Sequence, residues 1–238
     1  MLKIKIKDLW VFAAASLIGT LGLNICYNIS INTLTLSFAA VLLGLSPVFV
    51  VLMAAPLFKE KITVRKAICT AAAVAGCVMV SGLFDSGTVI TWSLPGILIG
   101  VLSGFFYALY SIFSRIAMDR GYHPLTVTFY SFLMLTVVLI PFTDWNVIGE
   151  IMTTDPLKNN TIMITHSLCV TILPYVFYNL ALKYMETGMV SVLASAEPVA
   201  AMVFGAIIYS EMPSAVSLCG LILVLAALAV LSLSPIEK

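Results

Sequence analysis

YNISINTLTLSFAAVLLGLSPVFVVLMAAPLFKE (27–60) and YNLALKYMETGMVSVLASAEPVAAMVFGAIIYSE (178–211) read as two copies of one segment, offset by 151 residues with no gap. Tyr27-Asn28 falls on Tyr178-Asn179, Val41-Leu42 on Val192-Leu193, Pro47-Val48 on Pro198-Val199, and Glu60 on Glu211. The Tyr, Asn, Pro and Glu matches carry the reading, because apolar matches arise by chance in so apolar a chain. Self-similarity at a fixed period is read first because it sets the architecture.

The chain is 61% hydrophobic and 10% charged, where a soluble domain is about 25% charged. Apolar stretches of about 20 residues cross a bilayer. Eight such stretches lie between charges, Pro and Gly, at 8–27, 33–57, 64–84, 93–114, 125–143, 161–182, 188–209 and 214–234. A spanning segment must satisfy its own backbone hydrogen bonds, so each is expected to be a helix. The expected class is an all-α integral membrane protein with eight transmembrane helices.

Alternating the sides, with the N-terminus inside, places 11 of the 12 basic residues inside and leaves only Lys158 outside. This positive-inside bias predicts a multi-pass plasma-membrane protein with both termini cytoplasmic. Trp10, Trp92, Trp145, Tyr184 and Tyr209 fall near expected boundaries, where interfacial aromatics belong. The Lys-rich start followed by an apolar run resembles a cleaved leader, but residues 8–27 align with 159–178 in mid-chain, so a membrane helix is expected there. The five cysteines, Cys26, Cys69, Cys77, Cys169 and Cys219, lie inside apolar stretches and are expected to be small buried hydrophobes. The segment 144–160, with Asp144, Glu150 and Asp155, reads as an acidic outside connector.

The second copy extends upstream to about Thr88 and holds five stretches, whereas the first holds three. This divides the chain into 1–87, a first repeat of three helices, and 88–238, a second repeat of five. By the offset, the counterparts of the second copy's first two helices would fall ahead of Met1. Five helices per repeat is an odd number, so the second copy is inverted across the membrane. Glu60 sits in the basic inside loop KEKITVRK and its partner Glu211 in the outside turn YSEMPS, as inversion requires. Inverted repeats recur in secondary transporters, with the solute site near the midplane.

At this point the chain resembles the EamA-type branch of the drug/metabolite transporter superfamily. The resemblance rests on LGLSPVFVVLMAAPLFKEKITVRK (43–66), YALYSIFSRIAMDRGYHPLTVTFYSFLM (107–134) and the stretch 178–211. It implies ten helices in two inverted five-helix repeats. It also implies export of small metabolites, amino acids or drug-like solutes. The sequence departs from that pattern by lacking the first two helices, which in the family help line the central cavity. A non-transporting membrane protein or a partner subunit is therefore the alternative reading.

Glu197 is the one acidic residue deep within a stretch, nine residues after Gly188. A carboxylate there costs about 2.5–3.5 kcal/mol even on the lenient insertion scale, so it is expected to face a hydrated cavity or to carry a proton. Either state makes it a candidate for proton coupling or for contact with a substrate amine. Its repeat partner is Ser46. Pro47 and Pro198 follow these positions and are hinge candidates, as mid-helix prolines that free the carbonyls of Leu43 and Ala194. Further pathway candidates are His166, Tyr27, Asn28, Tyr178, Asn179, Tyr107 and Tyr110. Tyr-Asn at 27–28 and 178–179 is expected to end a helix, where it binds solute or caps, and Tyr175 is a further candidate for an aromatic wall. Gly96, Gly100 and Gly104 are expected to bring helices close, and Arg115 to snorkel at a helix end.

The chain lacks HExxH, a phosphate loop, GxSxG and Cys/His metal spacing. No catalysis, cofactor or metal is expected. No basic-aromatic stripe suggests nucleic acid. The expected partners are the lipid bilayer and a small-molecule substrate, and the reading admits a homodimer.

Overall fold

The computed structural model describes residues 4–81, 83, 93–209 and 213–232, and within them the side chains of a few helical residues, Pro198 and Tyr209 among them, are not described. Glu211 and Trp92 lie outside the described residues. The described chain forms eleven helices and no strand. They are α1 (Ile6–Thr33), α2 (Leu36–Leu43), α3 (Ser46–Phe58), α4 (Val64–Val80), α5 (Leu94–Asp119) and α6 (Pro124–Leu139), then α7 (Trp145–Thr154), α8 (Pro156–Tyr184), α9 (Thr187–Ala194), α10 (Ala196–Tyr209) and α11 (Ala215–Ser232).

Five segments have the length and apolarity of a membrane span: Ile6–Thr33, Phe38–Phe58, Leu94–Asp119, Pro124–Phe142 and Pro156–Tyr184. The other three expected spans correspond to α4, to the α9–α10 pair and to α11, each shorter or interrupted. Helix starts follow from capping chemistry. Thr35, Thr63 and Ser93 accept hydrogen bonds from Phe38, Lys66 and Gly96 N–H groups, closing the first turns of α2, α4 and α5.

Element boundaries repeat at the sequence offset. Leu36–Leu43 corresponds to Thr187–Ala194, and the regular α-helical turns Gly22–Thr33 that end α1 correspond to Leu173–Tyr184 that end α8. Each of those halves follows a π-helical stretch, Ala14–Leu21 in α1 and Ser167–Ile172 in α8. Such widened turns are rare and cluster at functional places in helices.

Helix α5 is central and packs against α1, α2 and α3 on one side and α6, α8 and α9 on the others. Its Gly96, Gly100 and Gly104 make this approach feasible. A Cβ at Gly100 would lie 2.5 Å from Leu42 Cδ1, and one at Gly104 3.1 Å from the Leu42 carbonyl oxygen. The glycine stripe is thus a packing surface, for the end of α1 and Leu34 at Gly96 and for the C-terminal end of α2 at Gly100 and Gly104. Helices α4 and α11, which the offset also pairs, cross backbone to backbone. A Cβ at Gly76 would meet the Gly220 carbonyl oxygen at 2.9 Å, and one at Gly220 the Gly76 carbonyl at 2.7 Å. Gly76→Val is expected to push the two helices apart and to cost about 1–3 kcal/mol. Thermal melting of the purified variant checks this, and an unchanged midpoint would contradict the crossing.

Three expectations are corrected. Residues 144–160 are helical rather than a plain connector. Asp144 caps α7 by accepting the Asn146 and Val147 N–H groups, and Asp155 caps α8. The acidic residues there terminate and start helices instead of merely solvating a loop. Cys26, Cys69 and Cys77 are buried as expected, but Cys169 and Cys219 are exposed on the outside of the bundle, where an apolar surface is stable only against lipid. Arg115 does not snorkel. Its guanidinium donates to the carbonyls of Leu182 (2.6 Å) and Met185 (2.7 Å) and pairs with Asp119, fastening α5 to the C-terminal end of α8. Unpaired carbonyls and the negative end of the helix dipole favour a cation there.

Candidate functional site

Both hinge prolines start helices rather than kinking them. Helix α2 stops at Leu43, and Gly44-Leu45 forms a turn. Its tight bonds run from Leu45 N–H to the Leu42 carbonyl (3.2 Å) and from Val48 N–H to the Leu45 carbonyl (3.0 Å). Pro47 then lies in the first turn of α3, where its missing N–H forfeits nothing. In the second copy the break falls at Ser195, whose N–H reaches the Val192 carbonyl at 3.0 Å, and α10 opens with Ala196-Glu197-Pro198. Irregular backbone at membrane depth is stable where it lines a cavity.

Such a cavity is present, about 270 Å³ in volume, at the two breaks. Four repeat-related pairs line it: Ala40 with Ser191, Leu43 with Ala194, Gly44 with Ser195, and Ser46 with Glu197. Tyr27 and Tyr107 add aromatic walls, and Pro47 is also in the lining. Cys77 and Ser81 contribute from the end of α4, and the Cys77 thiol donates to the Ser195 carbonyl at 3.6 Å, tying α4 to the second break. Glu197 is exposed to this space, and among the described residues its carboxylate makes no hydrogen bond or ion pair. The hydroxyl of Ser191 is buried and has no hydrogen-bond partner among the described residues.

The EamA-like transporter family matches residues 1–82 and 94–233. The chain belongs to the EamA-like transporter family. With its long apolar helices, this makes it a multi-pass membrane protein. It is similar to the uncharacterized transporter YxxF of Bacillus subtilis (strain 168), 23% identical over 189 residues that cover 78% of this chain and 58% of that protein. An uncharacterized transporter of Archaeoglobus fulgidus is 24% identical over 218 residues, 88% of this chain and 72% of the relative. The EamA chain thus spans little more than half the length of the first of these relatives. A solved crystal structure shares the fold, with a TM-score of 0.74 at 19% identity over 97% of this chain and 79% of that one.

The other sequence candidates in this EamA protein separate into three groups. Tyr110, Tyr178 and Asn179 are brought together behind the cavity wall. The fully buried Asn179 amide donates to the Tyr110 hydroxyl (2.7 Å) and to Thr128 Oγ1 (3.0 Å), and the Tyr178 hydroxyl pairs with Ser111 Oγ at 2.7 Å. Tyr178 stands edge-on to Tyr107 at 5.8 Å, and Tyr175 edge-on to Tyr110 at 5.1 Å. The Tyr-Asn pairs therefore lie within α1 and α8, several residues short of the helix ends at which the sequence reading placed them. Asn28 faces outward and bonds to the Asn24 carbonyl at 2.8 Å. His166 is exposed on α8 and does not line the cavity.

Sequence reasoning missed a buried charge cluster. Lys66, 4% exposed, places its ammonium 2.9 Å from Glu60 and 2.9 Å from Glu186. The Glu60 carboxylate also accepts the N–H groups of Thr187 (2.6 Å) and Gly188 (3.1 Å), so it caps α9 from the loop between α3 and α4. A Cβ at Gly188 would lie 2.5 Å from Lys66 Cε, so a larger residue there would have to shift the ammonium from its place. The cluster clamps the α3–α4 corner to the start of α9. No sequence signal could have found it. The basic residues of KEKITVRK read only as an inside loop, and Glu186 lies 120 residues from Lys66.

Burial pushes the Glu60 carboxyl up, but the Lys66 ammonium and the Gly188 and Thr187 N–H groups outweigh it and hold it below its ordinary 4.5. A depressed carboxyl stabilises the fold fully above its ordinary value, and that stability is lost as pH falls through the lowered one. Thermal midpoints measured across pH are therefore expected to drop on acidification below 4.5. In Glu60→Gln this part of the drop disappears.

Proposed function

We propose that this EamA chain is a secondary transporter that moves small solutes through the cavity between the α2–α3 and α9–α10 breaks. Export of metabolites, amino acids or drug-like compounds, with proton coupling at Glu197, is the specific reading. The observation that carries it is the paired lining: four pairs of residues 151 apart in sequence line one cavity, at two helix breaks. That arrangement suits an inverted repeat, with units 1–87 and 88–238 and eight crossing segments, rocking about a fixed midplane site. The positive-inside bias orients both termini to the cytoplasm and makes the plasma membrane the expected location. Breaks opened by Pro47 and Pro198 serve as the hinges.

Purified chain reconstituted in vesicles, with and without a pH gradient, tests the reading against a broad panel of amino acids, amines and neutral metabolites. Flux of at least one class is expected. Folded, monodisperse protein that moves none of them overturns it.

One asymmetry favours a second reading, in which the chain acts with a partner. In the apolar stretch of α1, 44% of residues are buried, against none in the matching stretch of α8. Transport by the purified chain alone decides against this reading.

A further inference from the structure

We infer that the cavity takes an organic monocation, a protonated amine or quaternary ammonium on a compact apolar body. This rests on the reading above that the cavity is the solute site.

The charge inventory points one way. Among the described residues, Glu197 is the single charged side chain in the cavity lining, and no Lys, Arg or His reaches it. Two cations held inside the fold are committed elsewhere: Lys66 to Glu60 and Glu186, Arg115 to the end of α8. A carboxylate without a built-in counter-charge, in a low-dielectric surround, favours a ligand that brings its own positive charge. The helix ends do not reverse this. Carbonyl ends of α2 and α9 and amide ends of α3 and α10 meet at the same breaks, so their partial charges of about half a unit oppose one another. Pro47 and Pro198 further remove one amide donor from each opening turn. The full charge on Glu197 therefore decides the sign.

The remaining walls suit the rest of such a molecule. The phenol rings of Tyr27 and Tyr107 in the lining are aromatic surface of the kind that attracts a cation. Val41, Leu43 and Ala194 provide apolar contact. A volume of about 270 Å³ limits the body to roughly one ring with its ammonium head.

Equilibrium binding of labelled benzyltrimethylammonium to the full chain in phosphatidylcholine nanodiscs tests this, with N,N-dimethylbenzamide and benzenesulfonate as neutral and anionic competitors. Saturable binding is expected, with both competitors weaker than unlabelled cation by about tenfold or more. Glu197→Gln is expected to weaken binding by at least about tenfold while Glu197→Asp retains it. Absence of saturable binding, equal competition by the neutral or anionic compound, or unchanged binding in Glu197→Gln overturns the inference. Should Glu197→Gln not fold, the competition on the unmodified chain decides. Vesicles that move neutral or anionic solutes without cation binding would leave transport standing and remove this class. Saturable cation binding without flux of any solute would do the reverse.

Discussion

Vesicles carrying Glu197→Gln are expected to lose the whole of the flux that a pH gradient drives, while the protein stays folded. The expectation follows from how the side chain is placed. Glu197 faces the cavity at the opening of α10, and among the described residues nothing pairs with it. Gln matches the carboxyl group in size and in hydrogen-bonding reach but cannot take up or release a proton. Folding should not suffer, because a midplane carboxylate opposes insertion by about 2.5–3.5 kcal/mol and the amide removes that charge. Gradient-driven flux measured with a trapped pH dye, beside size-exclusion profiles of the two proteins, makes the comparison. Equal pH dependence in the variant and the unmodified chain would remove the proton role from Glu197.

The second large effect is on stability. Lys66→Met is expected to destabilise the fold by about 3–5 kcal/mol, because it strands two carboxylates that now share one buried ammonium. For a chain of this length that corresponds to a fall in melting temperature on the order of 10 °C. The neutral combination Lys66→Met, Glu60→Gln, Glu186→Gln should recover part of the loss, since it removes the stranded charges and the amide oxygen placed at position 60 would still accept the Thr187 N–H group. A melting temperature for Lys66→Met close to that of the unmodified protein would show that the cluster contributes little to holding α9 in place.

Much of this was legible because apolar length and periodic identity are local properties. Apolarity marked the helices, and the 151-residue offset pointed to Ser46 and Glu197, which the structure brings to one cavity. Their neighbours Ala40 and Ser191, or Gly44 and Ser195, were not legible, because small residues in an apolar chain look alike until two breaks are seen to face each other. The prolines were recognised as special. Whether they kink one helix or open a new one depends on where the preceding turn closes, and Gly44-Leu45 settles that through bonds a pattern cannot reveal. Tyr110 and Asn179 were read as cavity or capping residues, yet the structure buries them in a hydrogen-bonded knot between α5, α6 and α8.

Membrane class and family were readable from hydropathy and local motifs, and the 151-residue offset from repeated identity, since none of these needs a partner. Which side of each helix lines the cavity emerges only when the helices pack. The tertiary structure also decided that Arg115 grips the end of α8, and that Lys66, Glu60 and Glu186 close on one another. The Arg115–Leu182 and Lys66–Glu186 contacts join residues 67 and 120 positions apart, and no local pattern encodes such contacts.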